Sequence, residues 1–273
     1  PSTSTPVSPE RVAELLKAEW ELFTKQTGKS AEESRRALKS LPLGVTSSFQ
    51  HWDPYPISIV SAKGAWMTDV DGRQLLDLSM GFGAMLAGHL NPVIVEEVKK
   101  ALETGTLFVT PSPISTDAAE RICRRFGIDQ VRFTNSGTES TMYAVRTARA
   151  ATGKNAVVKI EGGYHGSYDP FVVSSKPPID KIGDPNNPIP HTPDGIVPGE
   201  MHVVPYNNAE ALERTFKKYA SSIACFILEP VLENIGIVLP DEGYLERVRE
   251  LCDEYNVVLI FDEVKTGLTA GHQ

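Results

Sequence analysis

Small hydroxyl residues and a glycine stand at the start of a predicted helix, where an anion could bind. Ser136-Gly137-Thr138 follow a short apolar run at 130–134, and apolar residues at helical spacing continue over 137–152. The first turn of a helix presents unpaired backbone N–H groups and the positive end of the helix dipole. The three residues therefore predict an anion site, for which phosphate is the commonest ligand. An ordinary helix cap is the alternative, because Asn and Ser cap helices in any protein.

Further side chains with chemical potential directly follow other predicted strands. They are Tyr164 and His165 after strand 156–160, Glu229 after strand 222–228, and Asp262 at the end of strand 257–262. Because the carboxyl ends of parallel strands share one edge of a sheet, we expect these side chains to meet. A phosphate site, an aromatic ring and a buried carboxylate together suit a phosphorylated planar heterocycle with a protonated ring nitrogen. Taken singly, each residue has a structural alternative as a loop residue, a helix cap or an ion-pair partner.

Helices and strands alternate from residue 92 onward and must position these side chains. The helices are predicted at 92–104, 116–126, 137–152, 209–219 and 242–255, and the strands at 130–134, 156–160, 202–205, 222–228 and 257–262. The strands are nearly continuous apolar runs, which is typical of strands covered by helices on both faces. The alternation predicts an α/β domain at 91–273 with a largely parallel sheet, after an N-terminal segment at 1–90. The Pro- and Gly-rich stretch 176–199 is predicted to be a long irregular loop.

The N-terminal segment has a different pattern. Its predicted elements are a disordered tail at 1–8, helices at 9–28 and 30–41, and strands at 57–60, 65–68 and 75–78. Gly28 is predicted to end the first helix, and a capping box from Ser30 to Glu33 to begin the second. Gly64 and Gly72 are turn signals between the strands, which predicts a small antiparallel meander.

Composition indicates a soluble globular protein of a reducing compartment. The chain has 273 residues, of which 41% are hydrophobic and 23% charged, and its net charge is −8. The acidic balance argues against nucleic acid and against an anionic membrane as partners. Cys123, Cys225 and Cys252 are widely spaced and odd in number, which favours free thiols over disulfides or a zinc site. We therefore expect a cytoplasmic protein without a metal site.

From about Gly44 to Val264 the sequence resembles the class III pyridoxal-phosphate aminotransferases, in particular the branch of glutamate-1-semialdehyde aminomutases and amino-acid aminotransferases. The motifs that carry the resemblance are Asp69-Val70-Asp71-Gly72, Gly88-His89 with Asn91-Pro92, the runs Arg132 to Glu139 and Glu161 to Gly166, Glu229-Pro230-Val231, and the run Phe261 to Gly267. Together these motifs are specific to the family.

The resemblance implies a fold, a cofactor and partners. The fold is the aspartate aminotransferase-like large α/β domain of pyridoxal-phosphate-dependent transferases, with a mostly parallel sheet of the seven-stranded type flanked by helices. Helices and a β-meander precede it. The implied cofactor is pyridoxal 5'-phosphate, with pyridoxamine 5'-phosphate as an intermediate. The implied partners are a small amino acid or amine, a keto acid and a second copy of the chain in a homodimer.

The same resemblance assigns roles to individual residues. The cofactor-binding residues are expected to be Ser136, Gly137, Thr138, Tyr164, His165, Asn234, Asp262 and Val264. The first three would bind the phosphate, Tyr164 and Val264 would cover the two faces of the ring, and Asp262 would pair with the pyridine nitrogen. Asp262 and Glu229 are the candidate catalytic residues. Around the substrate we expect Gln50, His51, Trp52 and Phe82, whose alternative role is packing at the meander.

Two departures from the family pattern affect these expectations. The family's cofactor-binding lysine and its C-terminal small domain are expected beyond Gln273, so we expect the chain alone to be inactive. In addition, the aminomutases have an arginine that binds the substrate carboxylate where this chain has Gln50. An amide cannot make the charged bidentate contact that an arginine makes with a carboxylate.

Three functions follow. The favoured one is a pyridoxal-phosphate-dependent aminotransferase that moves an amino group between an amino acid or amine and a keto acid. The first alternative is glutamate-1-semialdehyde 2,1-aminomutase. The alternative of another class is a non-catalytic module that keeps the fold for binding or assembly.

Overall fold

The computed structural model describes residues 8–269, so the predicted tail lies almost wholly outside the described residues. The chain forms two compact units, Pro1–Val109 and Thr110–Gln273. The boundary predicted from the sequence, between an N-terminal segment and an α/β domain, lies after residue 90. The first unit contains α1 (Pro9–Gln26), α2 (Gly28–Ala37), β1 (Ile59–Lys63), β2 (Trp66–Asp69), β3 (Gln74–Leu76) and α3 (Pro92–Leu102). Within residues 8–269, none of the helices combines the length and the apolar character needed to cross a membrane.

An antiparallel sheet in the order β1-β2-β3 forms the meander of the first unit, as predicted. Met67 of β2 pairs with Ala62 on one side and with Leu75 on the other. The turns between the strands contain Gly64 and Gly72, whose φ angles of 60° and 89° are easily reached only by glycine.

The predicted boundary between the first two helices was wrong. Gly28 begins α2 instead of ending α1, and Ser30 lies in the first turn of α2 instead of capping it. The reason is Asp71, which accepts hydrogen bonds from the backbone N–H groups of Lys29 (2.7 Å) and Ser30 (3.1 Å) and from the Ser30 hydroxyl (2.6 Å). A carboxylate from the turn after β2 thus satisfies the free N–H groups at the start of α2, in place of a local capping box.

Helices cover both faces of a parallel sheet in the second unit, as the apolar strands predicted. The second unit contains α4 (Pro113–Phe126), α5 (Gly137–Thr152), β4 (Ala156–Ile160), α6 (Asp169–Val172), β5 (Gly183–Asp184), β6 (Asn187–Pro188), β7 (Met201–Val204), α7 (Ala209–Tyr219), β8 (Ile223–Leu228), α8 (Tyr244–Glu254), β9 (Val258–Phe261) and α9 (Thr266–Thr269). Four parallel strands lie in the order β7-β4-β8-β9. Residues of α5 pack on one face with Val157, and residues of α7 and α8 pack on the other with Phe226.

The strand predicted at 130–134 does not form. Phe133 is 52% exposed, and no described strand pairs with this segment. An apolar run suits a strand, but a strand exists only where a neighbour supplies backbone partners. The stretch 176–199 is irregular as predicted, apart from the short β5–β6 pair and one helical turn.

The cysteines are free thiols, as predicted. Cys225 and Cys252 are buried, and Cys123 is partly buried. Burial raises the pKa of Cys225 and of Cys252 to about 12, so both behave as small apolar side chains at neutral pH.

Candidate active site

The start of α5 has an ordinary cap, and it also leaves two of its first N–H groups without a partner among residues 8–269. Ser136 is the N-cap residue, and its hydroxyl accepts a hydrogen bond from the Glu139 N–H at 3.2 Å. In the described part of the chain no acceptor faces the N–H groups of Gly137 and Thr138. These two donors at the positive end of a 16-residue helix are therefore available to an anion.

A loop after β4, residues 162–166, lies against this helix start. The Thr141 hydroxyl donates to the backbone oxygen of His165 at 2.8 Å, and the Ser167 N–H donates to Oγ1 of Thr138 at 3.2 Å. Gly166 has a φ of 98°, and a Cβ at this position would lie 2.8 Å from the Cα of Thr138. Only glycine therefore lets the loop approach α5 so closely.

Asp262 stands at the end of β9 and is oriented from two sides. Its Oδ2 lies 2.8 Å from Nδ1 of His165, and its Oδ1 accepts from the Val264 N–H at 3.1 Å. The side chains of His165 and Asp262 are 0% and 5% exposed. A buried carboxylate held in this way is suited to pair with a proton on a ligand nitrogen.

Glu229 follows β8, is buried, and binds backbone N–H groups instead of a cation. Its Oε1 accepts from the Tyr164 N–H at 3.0 Å and its Oε2 from the Glu233 N–H at 3.4 Å. Glu229 thus holds the backbone of Tyr164, a residue that is 46% exposed. Asn234 lies in the segment after Glu229, and its Nδ2 is buried without a partner among residues 8–269.

The predicted cofactor-binding residues of the second unit come together at the carboxyl ends of its strands. Val264 packs on the helix start, since a Cβ at Gly137 would lie 3.0 Å from Cγ2 of Val264. The helix start, the loop with Tyr164 and His165, and Asp262 are linked by the hydrogen bonds described above. Asn234 belongs to a neighbouring segment, which reaches the loop where Ile235 approaches Gly162.

The predicted substrate residues belong to the first unit, and their role in binding substrate stays a prediction. Gln50 ends a short helical turn, where its Oε1 accepts from the Thr46 hydroxyl at 2.7 Å. His51 is exposed, and Trp52 and Phe82 are largely exposed. The Phe82 ring lies edge-on to Phe49, with 5.3 Å between ring centroids. Gln50 and Trp52 line an open cleft of about 990 Å³ in this unit.

Lys159 was missed by the sequence analysis. It lies within β4, where all five residues are buried, and burial lowers the pKa of its ammonium to about 8. Its Nζ donates to backbone oxygens of the loop region. The available signal was a single lysine inside an otherwise apolar strand.

No group of His, Cys, Asp and Glu in residues 8–269 could hold a metal ion.

Comparison with known protein families identifies the family of the chain. The model of the aminotransferase class-III family matches residues 48–272. The chain belongs to the class III aminotransferase family. This match includes the described helix start, the loop after β4 and the ends of β8 and β9.

Relatives of this class III chain include aminomutases and transaminases. A glutamate-1-semialdehyde 2,1-aminomutase of Methanocorpusculum labreanum is 41% identical over 247 residues, which are 89% of this chain and 58% of that protein. A solved structure described as a transaminase with PLP bound has a TM-score of 0.81 at 36% identity and covers 87% of this chain and 55% of that one. A glutamate-1-semialdehyde aminomutase structure from Pseudomonas aeruginosa has a TM-score of 0.82 at 26% identity and covers 94% and 56%. The chain thus spans a little over half the length of these relatives.

Proposed function

We propose that the full-length protein is a pyridoxal-phosphate-dependent aminotransferase that moves an amino group between an amino acid or amine and a keto acid. The observation that carries the proposal is the buried pair of Asp262 and His165, beside a helix start whose N–H groups lack an acceptor in residues 8–269. Family membership supports the same function, as does the related transaminase structure that holds PLP.

The residues present fit this cofactor. The N–H groups of Gly137 and Thr138 would hold the phosphate, because the helix dipole and two free donors favour a dianion there. Tyr164 is exposed in the loop that lies against the start of α5, and Val264 packs on Gly137, so both can cover a planar ring. Asp262 is buried with both oxygens oriented, which suits a partner for the pyridine nitrogen.

Each residue would make one contribution to catalysis. Bound pyridoxal phosphate supplies an electron-withdrawing ring that makes the substrate carbon acidic. Asp262 would keep a proton on the ring nitrogen, and His165 would hold Asp262 in the required direction. Glu229 would fix the backbone of Tyr164 and thereby the ring that stacks on the cofactor. Proton transfer at the substrate carbon is left to the lysine that the family resemblance implies in later residues.

The direct test is an amino-transfer assay with full-length protein loaded with pyridoxal phosphate. A panel of amines and amino acids is offered with a keto acid acceptor, and formation of the new amino acid is followed. We expect transfer from at least one donor. A non-catalytic module would bind pyridoxal phosphate without transferring an amino group from any of them, and that outcome would reject the proposal.

Glutamate-1-semialdehyde 2,1-aminomutase is the second candidate, because the related protein of Methanocorpusculum labreanum carries that name at 41% identity. Gln50 favours the aminotransferase, since it offers one neutral amide where the aminomutases have an arginine for the substrate carboxylate. Isomerisation of glutamate-1-semialdehyde without an added keto acid would favour the aminomutase. Dependence on the keto acid would favour the aminotransferase.

Three finer properties belong to the same proposal. The protein is proposed to act as a homodimer, which the family resemblance supports and sedimentation would test. It is proposed to work in the cytoplasm, and its free cysteines support a reducing compartment. Residues 1–273 alone are proposed not to transfer amino groups, because the implied lysine lies beyond them.

A further inference from the structure

Lys159 is a charged residue in the most buried part of the sheet. Lys159 is 0% exposed and lies in β4, which has β7 on one side and β8 on the other. The buried residues of these strands are mostly aliphatic. Burial of an ammonium is costly unless hydrogen bonds and opposite charges compensate for it. The buried ammonium of Lys159 therefore requires hydrogen-bonding or oppositely charged partners.

The partners of Lys159 are a backbone oxygen of the loop after β4 and a backbone oxygen of the segment after α6. Nζ donates to the oxygen of Gly163 at 2.9 Å and to the oxygen of Val173 at 2.6 Å. Oγ of Ser175 lies at 3.5 Å from Nζ. The ammonium thus joins the first turn of the loop to the segment that follows α6.

The Gly163 oxygen belongs to the same peptide group as the Tyr164 N–H. That N–H donates to Oε1 of Glu229 at 3.0 Å. One peptide group is therefore held at its carbonyl by a buried cation, with the Ser175 hydroxyl as a longer second donor at 3.3 Å, and at its N–H by a buried carboxylate. Because a peptide group is planar, fixing both ends fixes its plane and the direction in which the chain enters Tyr164.

We propose that Lys159 is a positioning residue that, together with Glu229, clamps the peptide group between Gly163 and Tyr164 and so directs the Tyr164 ring toward the cofactor. We call this pair of contacts the peptide clamp. The proposal rests on the proposed function for its link to the cofactor. The clamp itself depends only on contacts within the second unit.

The charge state of Lys159 gives the clamp a pH dependence with a defined sign. Burial lowers the pKa of Lys159 to about 8, against the opposing attraction of Glu161 and Glu229. These two carboxylates and His165, whose Nε2 lies near Gly163, are the titratable groups that face the clamp. An ammonium donates more strongly than a neutral amine, so the clamp weakens as the pH rises through about 8.

The effect of Lys159 on global unfolding has the opposite sign. Its folded-state pKa of about 8 lies below its ordinary value of 10.5, so the unfolded chain binds more protons between these two pH values. Stability contributed by this group therefore rises with pH over that interval. A loosening of the loop over the same interval cannot be a consequence of global destabilisation by Lys159.

The test compares full-length wild-type protein with Lys159→Met and Val157→Ala. Lys159→Met removes the donors at similar side-chain length. Val157→Ala removes apolar volume from the same strand and the same face without touching the loop. Hydrogen exchange of the Tyr164 amide is measured without cofactor, and affinity for pyridoxal phosphate is measured by absorbance titration at pH 7. The denaturant midpoint of unfolding is measured for both variants, so that any loss of cofactor affinity can be compared with the loss of stability.

We expect Lys159→Met to speed exchange of the Tyr164 amide by about tenfold or more and to weaken pyridoxal phosphate binding by roughly ten- to one-hundred-fold, the scale of a charged hydrogen bond. Val157→Ala should lower the denaturant midpoint and leave binding within about threefold. If Lys159→Met does not fold, the wild-type protein supplies the test, because protection of the Tyr164 amide should fall as the Lys159 ammonium loses its proton, at a pH of about 8.

Two results would overturn the peptide clamp. One is unchanged exchange of the Tyr164 amide in Lys159→Met or, where that variant does not fold, protection in the wild type that stays level while the Lys159 ammonium, followed by NMR, loses its proton. The other is equal loss of binding in Lys159→Met and Val157→Ala, which would mean that stability alone decides affinity. Wild-type protein that binds no pyridoxal phosphate would instead reject the proposed function, and the exchange result would still decide the clamp.

Discussion

Nδ1 of His165 lies 2.8 Å from Oδ2 of Asp262, although the two residues follow strands that are not neighbours in the sheet. His165 follows β4 and Asp262 follows β9, with β8 between them in the order β7-β4-β8-β9. The loop after β4 must therefore reach across the end of β8. Glu229 stands at that end and holds the loop through the Tyr164 N–H.

Thr138→Val tests the anion site at the start of α5. The change keeps the shape of the side chain but removes a hydroxyl that stands beside the proposed phosphate and accepts from Ser167. A hydrogen bond to a charged group contributes about 1.5–3 kcal/mol, so pyridoxal phosphate affinity should fall by about one to two powers of ten.

A direct titration of full-length protein measures this effect. Thr152→Val removes the same hydroxyl near the opposite end of α5, where it donates to Ala148, and should leave affinity unchanged. If Thr138→Val also binds with wild-type affinity, the Ser136–Thr138 turn is only a helix cap.

Gly166→Ala tests the close approach of the loop to α5. A Cβ there meets both the side chain and the Cα of Thr138, and the φ of 98° is itself unfavourable for alanine. Unfolding free energy should fall by about 1–3 kcal/mol, and pyridoxal phosphate affinity should fall with it.

Gly153→Ala is the matched control for the loop. Gly153 ends α5 with a φ of 67°, and an added Cβ would meet nothing within 4 Å. It should cost about 1 kcal/mol through backbone strain alone and leave affinity unaffected. Equal effects of the two alanines on binding would show that the contact with Thr138 does not position the loop.

Gln50→Arg tests the basis for preferring an aminotransferase over an aminomutase. Arginine can replace one neutral hydrogen bond by a charge-assisted pair, so binding of a substrate with a carboxylate at that distance should improve by about 1–3 kcal/mol. Initial rates on glutamate-1-semialdehyde and on a panel of α- and β-amino acids measure the change. Gln74→Arg adds the same charge elsewhere in the first unit and should leave the rates unaltered. Efficient isomerisation of glutamate-1-semialdehyde by the wild type would rank the aminomutase first.

Local signals in the sequence predicted much of the second unit. The predicted bounds of helix α5 at 137–152 and of strand β4 at 156–160 were correct to the residue. The ends of α5 are marked locally, because the cap Ser136 and the terminating Gly153 directly flank the helix. The convergence of Tyr164, His165 and Asp262 followed from the rule that ligands bind at the carboxyl ends of parallel strands.

Features that depend on distant partners were not predictable in this way. Asp71 sets the start of α2 from 41 residues beyond Ser30, so the local Ser30–Glu33 pattern was misleading. The apolar run 130–134 carried no information about whether a strand would pair with it. Lys159 looked like an interruption of β4, and its role depends on where the fold places the oxygens of Gly163 and Val173.

The most direct test of the proposed function is amino transfer by full-length protein and its Asp262→Asn variant. Each is loaded with pyridoxal phosphate and mixed with an amine donor, and conversion of the bound cofactor is followed by absorbance. We expect transfer by the wild type and a rate at least about one-hundred-fold lower in Asp262→Asn, the scale for loss of a preorganised electrostatic contact. Asp253→Asn, which changes an exposed aspartate of α8, should behave as the wild type. A near-wild-type rate in Asp262→Asn would contradict the role proposed for Asp262.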